Sequence, residues 1–478
     1  MIVLYVILAA VAVLICCLLF NMTVKTKKAP KLSEFKPLYS DEEMKVYAER
    51  LSEMIRCKTV SVKDSYDDTE FKKLRDTVSD LFPLVTAKAE KLTFSDDCWI
   101  YKLSGKDESR NIMLMSHHDV VAADGKWEHD GFGGEIIDGK IWGRGTVDTK
   151  TPLFAEFSAL EQLLSEGFEL PCNVYIGSSH NEELGGDGIP TALKYFLEKG
   201  ITFEVILDEG GAIIEPPLAG MNADKCAMIA VHEKGRYYFN CTAEASNAHA
   251  SLTAAAGANV VERMSGFINE ATTSDIFVRR LNTEVTAMFT HLAPYMNFPM
   301  KLLFSNLWLF GPLLKTVMPK INAQAGGLIG TTCTFGKIEG STEKKICTAR
   351  AFLRPVDEKD FEKDLEVFEA LAKKYGITLE KDSASEYHGP ADMTKPQFAY
   401  LKKCVNEIFP QYPVSPFILP AGTDARTLTD VCPCVLRFAP IRLSAQQLAS
   451  VHAENENIDI DSVANAVAFY KHFVKNYK

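Results

Sequence analysis

The sequence predicts an α/β protein: a mostly parallel, doubly wound sheet with helices on both faces, interrupted by an inserted α+β domain and preceded by a transmembrane helix. Three observations predict it. Short apolar runs alternate with amphipathic helical stretches, at 112–115 (IMLM), 174–177 (VYIG) and 203–207 (FEVIL). Each run is followed directly by His, Asp or Glu residues, and ligand sites in such sheets lie beyond the carboxyl ends of strands. The chain also opens on an uninterrupted apolar segment, Ile2 to Phe20, and about 20 such residues cross a hydrocarbon core of roughly 30 Å.

The elements follow in order. No Lys or Arg precedes the apolar segment, and Phe20-Asn21-Met22 is not a small-residue cleavage site, so residues 1–24 read as an uncleaved anchor rather than a signal peptide. Lys25, Lys27, Lys28 and Lys31 come next, which by the positive-inside rule leans toward a cytoplasmic location for the domain behind them. Residues 25–39, with Pro30 and Pro37, form a linker. Ser40 and Glu43 make a capping box, and Met44, Tyr47, Ala48, Leu51, Met54 and Ile55 recur at helical spacing behind it. Helices near 151–166 and 190–199, closed by Gly167 and Gly200, separate the apolar runs, so residues 40–235 form the first part of the main domain.

Beyond Lys234 the pattern changes. Alternating residues at 237–241, a helix near 254–270 and a strand near 328–336 predict an inserted α+β domain over 236–350. Within it, the apolar stretch 302–318 (LLFSNLWLFGPLLKTVM) is read as a buried or interface helix, because Asn306, Gly311-Pro312 and the flanking lysines argue against a second span. Residues 351–478 return to the first pattern and end in an amphipathic helix near 461–476. The net charge of −11, from 63 acidic and 52 basic residues, argues against nucleic acid as a partner. The 12 cysteines show no zinc-module spacing and read as plain thiols.

The strand ends carry the chemistry. His117 and Asp119 are two apart in an extended segment and so share a side: His117 can bind a metal while Asp119 fixes its tautomer through the other ring nitrogen. His118 then faces the other way. Asp148 lies in a glycine-rich turn, Gly143 to Lys150, before a helix, where its two oxygens can bridge two ions. Of the adjacent Glu182 and Glu183, one can bind metal while the other stays free as a general base. Asp208 closes a buried strand, where a carboxylate without a cation is costly.

In order and spacing, Ser116-His117-His118-Asp119-Val120-Val121, Trp142 to Asp148, Asn181 to Gly186 and Leu207-Asp208-Glu209-Gly210 resemble the signature of the di-zinc peptidase and aminoacylase family. That family includes carboxypeptidase S, carboxypeptidase G, aminoacylase and succinyl-diaminopimelate desuccinylase. Asn306 to Leu314 and Gly422-Thr423-Asp424-Ala425-Arg426 look most like its carboxypeptidase S and N-acyl-amino-acid hydrolase branch. The resemblance implies a zinc exopeptidase fold, with two Zn2+ ions for which Co2+ or Mn2+ can substitute. It implies His117 and Asp208 on one ion, Glu183 and His452 on the other, Asp148 bridging, Glu182 as general base and Asp119 orienting His117. It further implies a cis peptide between Asp148 and Thr149, and a lid histidine, His249, that stabilises the oxyanion, often across a homodimer.

Two departures stand out. The residues before His249 are not the usual Gly-Gly, and the lid motif that holds the substrate carboxylate is shifted, leaving Arg350 as first choice and Arg354 as second, with Thr423 and Arg426 in the loop beside the substrate. The implied activity is hydrolysis of an amide bond next to a free carboxylate, in small peptides or N-acyl amino acids. One alternative differs in kind, a membrane-tethered binding protein on an inactive scaffold, whose mark would be loss of Glu182 or a ligand; another, an esterase or deacylase of a non-peptide metabolite, differs only in substrate. Neither Glu182 nor any ligand position is lost.

Overall fold

The runs at 112–115 and 174–177 form neighbouring parallel strands, Asp107–His117 and Cys172–Ser179, paired so that Leu114 faces Ile176 and His117 faces Ser179. A computed structural model describes residues 1–27, 29–245, 259–321 and 323–478. They divide into two units: Met1–His232 with Ala287–Ser305 and Pro390–Lys478, and Glu233–Thr286 with Asn306–Gly389.

In the first unit the centre of the sheet is parallel. Asp107–His117 lies between Cys172–Ser179 and Val205–Asp208, and Val205–Asp208 pairs with Val435–Arg437 on its far side. Antiparallel strands flank this centre, Cys98–Leu103 and Glu90–Phe94 at one edge and Cys226–Glu233 toward the other, where Val414–Leu419 is its outer neighbour. Every residue of Cys172–Ser179 is buried, as expected for a strand covered by helices on both faces. Helix Lys150–Ser165 packs against Ile460–Lys475 and Asp41–Ile55, burying Leu153, Phe154, Phe157 and Leu160 completely. Helix Asp41–Ile55 starts at the capping box, whose two reciprocal bonds are both present. Gly200 closes helix Gly188–Lys199 at φ +66°, a left-handed turn that favours glycine.

The second unit is a four-stranded antiparallel sheet in the order Thr332–Ser341, Ile346–Arg354, Tyr237–Glu244, Ile377–Lys381. Tyr237, Phe239, Cys241 and Ala243 alternate inward and pack with Cys347, Ala349, Ala351 and Leu353 against Phe267 and Phe368 of helices Val260–Thr273 and Glu358–Lys374. The chain rejoins the first unit at Pro390, later than the expected 351. Residues Ile346 to Leu353 pair with Tyr237–Glu244, and Ile377–Lys381 pairs with the other edge of Tyr237–Glu244, so 351–389 stays with the sheet of the second unit.

Two apolar segments remain. Helix Ile2–Thr26 is long and apolar enough to cross a membrane, with Leu18 its one buried residue. Its C-terminal end packs against Ala293–Tyr295 and Phe298–Ser305, and Lys25 Nζ donates to the Ser305 carbonyl at 2.8 Å. The stretch 302–318 is not one buried helix. It breaks at Asn306 into Phe298–Ser305 and Leu307–Ile321, and Trp308 and Leu313 on the second are 58% and 56% exposed. All twelve cysteines are free thiols, most of them buried.

Candidate metal centre

Strand Asp107–His117 ends on a histidine that is 3% exposed. His117 Nε2 lies 2.9 Å from Asp148 Oδ1, while Nδ1 faces Asp119, 3.0 Å from its carbonyl and 3.3 Å from its carboxylate. Asp119 is fully buried, and its two carboxylate oxygens also accept from the backbone N–H groups of Glu182 and Glu183, at 3.1 and 3.2 Å. One aspartate therefore orients the histidine and anchors the 3-10 turn Glu182–Leu184 that carries both glutamates. His118 points the other way, as the alternation of the strand requires: it stacks on Trp99 at 4.0 Å and bonds Ser178 Oγ at 2.9 Å. Burial lowers its pKa to about 4, so it is a neutral core residue.

Asp148 precedes helix Lys150–Ser165 across a cis peptide to Thr149. Each of its carboxylate oxygens meets a different histidine: Oδ1 meets His117, and Oδ2 meets His452 Nε2 at 3.0 Å. His452 Nε2 is also 2.9 Å from Glu183 Oε2. Donor atoms of His117, Asp148 and Glu183 all lie within 4.8 Å of one another. Asp208, 2% exposed at the end of its strand, accepts from the Ala425 N–H at 3.2 Å and from the Thr423 hydroxyl, which ties it to the 423–426 loop.

The charges here are arranged against the ordinary preference for water. Burial pushes the Asp148 carboxyl up, but the bonds from His117 and His452 outweigh it and hold the group below the usual carboxylate range. Burial raises Glu182 well above that range, only partly offset by His117. Glu209 and Asp208 are likewise raised by burial. Glu183 Oε1 is buried with no hydrogen-bond partner among the described residues. Carboxylates gathered in a low-dielectric pocket are unstable without compensating charge, and imidazole nitrogens with carboxylate oxygens suit zinc and similar divalent ions. The donor set fits a metal.

A supporting pair went unassigned in the sequence. Glu456 is fully buried, and its Oε1 accepts from the N–H groups of Gly145, Val147 and Asp148 at 3.1, 2.7 and 3.2 Å. Its other oxygen takes the Arg144 guanidinium, which also donates to the Ala453 carbonyl at 2.9 Å. The turn carrying Asp148 is thereby bolted to the loop carrying His452, whose φ of +59° is uncommon for a residue with a side chain. The sequence signal was the stretch Val451 to Glu456, which resembles the family's C-terminal His-Gly-x-Asn-Glu element and ends on this glutamate without giving it a role.

Arg426 is 7% exposed and donates to the Thr423 carbonyl at 2.6 Å. Arg350 belongs to the second unit, where it pairs with Asp382 at 2.6 Å and lies over the Tyr238 ring at 5.1 Å. His249 is outside the described residues.

Residues 113–476 match the profile of peptidase family M20/M25/M40. The chain belongs to this family. The M20/M25/M40 chain is 28% identical to "Probable carboxypeptidase S-like 2" of Dictyostelium discoideum, with 96% of this chain and 91% of that protein covered. It is 25% identical to the N-fatty-acyl-amino acid synthase/hydrolase PM20D1 of Xenopus tropicalis, covering 91% and 87%. Among solved structures, the M20 metallo-carboxypeptidase Sso-CP2 of Sulfolobus solfataricus superposes with a TM-score of 0.63 at 18% identity, covering 91% of this chain and 99% of that one. YXEP of Bacillus subtilis, described as a dinuclear metal binding peptidase, gives 0.56 at 11%, covering 90% and 98%. These likenesses establish the fold, and family membership makes the protein a metal-dependent hydrolase.

Chelation of the metal is expected to expose a pH signature of the site. Bonds to Asp148 and Glu183 raise His452 from 6.5 to about 10. A pKa raised on folding contributes stability that is complete below the unfolded value and lost as pH climbs through the folded one. The melting temperature of the chelator-treated protein is therefore expected to fall between pH 6.5 and 10, and His452→Gln should remove that part of the slope.

Proposed function

We propose that this chain hydrolyses the amide bond next to a free carboxylate in small peptides or N-acyl amino acids. His117 and Asp208 would hold one Zn2+, Glu183 and His452 the other, with Asp148 between them. The observation that carries the reading is Asp148, whose two oxygens each face one of the two histidines, the disposition of a bridging carboxylate. When bound, the ions supply Lewis acidity for the substrate carbonyl and lower the pKa of the attacking water.

The chain's own residues do the rest. Glu182, whose carboxyl binds protons more tightly because it is buried, takes a proton from the attacking water and delivers it to the leaving nitrogen. Asp119 keeps Glu182 and His117 in place by holding the backbone of one and the ring of the other. His249 is assigned to the oxyanion, and Arg426, Thr423 and Arg350 to the substrate carboxylate, where a guanidinium can bond both oxygens. Helix Ile2–Thr26 anchors the enzyme in a membrane, with the lysines behind it favouring the cytoplasmic side, and the lid domain pairs two copies. The relatives, a probable carboxypeptidase S-like protein and an N-fatty-acyl-amino acid synthase/hydrolase, support both substrate classes.

The test is a hydrolysis panel on the full chain loaded with zinc or cobalt. Dipeptides and short- and long-chain N-acyl amino acids are compared with the same compounds amidated at the carboxyl end. At least one free-acid class should be cleaved, with kcat/KM about tenfold or more above its amidated counterpart, as expected for loss of a charged hydrogen-bond partner. A fully loaded enzyme that cleaves none of them, or cleaves the amidated forms equally well, overturns the reading.

A further inference from the structure

Helix Leu307–Ile321 is apolar on two opposite faces. Gly311, Leu314 and Met318 are buried, whereas Trp308, Leu309, Pro312, Leu313, Val317 and Ile321 are exposed, at spacings that place them along one side of the helix. Trp308, Leu313 and Ile321 expose 58%, 56% and 64% of their surface. A helix on the outside of a globular protein normally turns charged residues outward, and a continuous exposed apolar stripe marks a contact surface.

Chain continuity indicates what covers it. The N-terminal apolar helix is seated by Ala293–Tyr295 and Phe298–Ser305. Lys25 at its end bonds the Ser305 carbonyl, and Tyr295 Oη donates to the Pro30 carbonyl at 3.0 Å. Lys25 is the first charged residue after the apolar segment, so Ser305 stands where a spanning helix would leave the hydrocarbon. One residue later, after Asn306, the exposed stripe begins. Lys301, Lys315 and Lys320 accompany it in sequence, as Lys25, Lys27 and Lys31 accompany the first helix. Apolar area flanked by lysines suits an anionic bilayer surface, with tryptophan at headgroup depth.

We propose that the exposed face of Leu307–Ile321 lies in the headgroup region of the same membrane, as a second contact beside the anchor. This rests on the anchor reading above. The test uses the full chain in phosphatidylcholine vesicles containing phosphatidylserine, with and without a spin-labelled lipid quencher near the headgroup. The emission lost in Trp308→Phe isolates Trp308 from the other tryptophans. The expected result is that the chain floats with the vesicles and the Trp308 emission is quenched about twofold or more. A chain that floats while Trp308 stays unquenched overturns the surface contact and leaves the anchor standing. Leu313→Cys cross-linking between copies in those vesicles would then identify a second chain as the cover. A chain that alkaline carbonate strips from the vesicles overturns the anchor, and the surface contact with it.

Discussion

Glu182→Gln is expected to lower kcat by about a hundredfold to ten-thousandfold while metal content stays at the wild-type level. Glutamine keeps the shape, and the backbone N–H that bonds Asp119 is untouched, so the turn should not move; only the proton acceptor is lost. The adjacent residue should behave oppositely. Glu183 contacts His452 at 2.9 Å and keeps its second oxygen unpaired, so Glu183→Gln should release metal as well as activity. Elemental analysis of both variants beside their turnover decides the assignment: metal loss from the Glu182 variant with full occupancy in the other would exchange the two roles.

The largest stability effect is expected at Glu456. Replacing it with Ala strands the Arg144 guanidinium, 2% exposed, and leaves the N–H groups of Gly145, Val147 and Asp148 without their acceptor. Removing one partner of a buried ion pair costs about 3 to 5 kcal/mol, which should appear as a lower denaturant midpoint with the metal chelated. Arg144→Met combined with Glu456→Leu should recover part of it, because the pair is then removed without leaving a charge behind. A Glu456→Ala protein as stable as wild type would show that water reaches Arg144 and that the clamp is not dry.

Much of the centre was legible because buried parallel strands announce themselves as short apolar runs, and the residues at the end of each run must stand on the same rim. His117 and Glu183, which the structure gathers with Asp148, were read that way, as were the expectations for Glu182 and Asp208. The opposed roles of His117 and His118 came from the two-residue period of a strand, and the structure shows one in the site and the other stacked on Trp99. Asp148 was legible from its glycine-rich turn. His452 was not legible from composition or period, since a histidine in a short polar loop looks the same whether or not an acid faces it; motif resemblance supplied it. Glu456 was hidden for the same reason: in Glu454-Asn455-Glu456 nothing local distinguishes an acid accepting three backbone N–H groups from one in water.

The second unit shows the converse. The alternation in 346–354 marks a strand but not which sheet it joins, and pairing with Tyr237–Glu244 kept it in the second unit. Likewise the apolar content of 302–318 predicted one buried or interface helix, whereas the stretch breaks at Asn306 and side-chain direction leaves Trp308 and Leu313 outside.

By itself the sequence determined the α/β class, the apolar N-terminal helix and the residue types offered at the strand ends, because hydrophobic periodicity and strand polarity are local properties of a chain. Only the tertiary structure decided that Asp148 faces His117 with one oxygen and His452 with the other, that Glu456 locks their loops together, and where the second unit ends. Those depend on register and on contacts between residues far apart, whose energies arise only once the strands have paired and water has left the space between them.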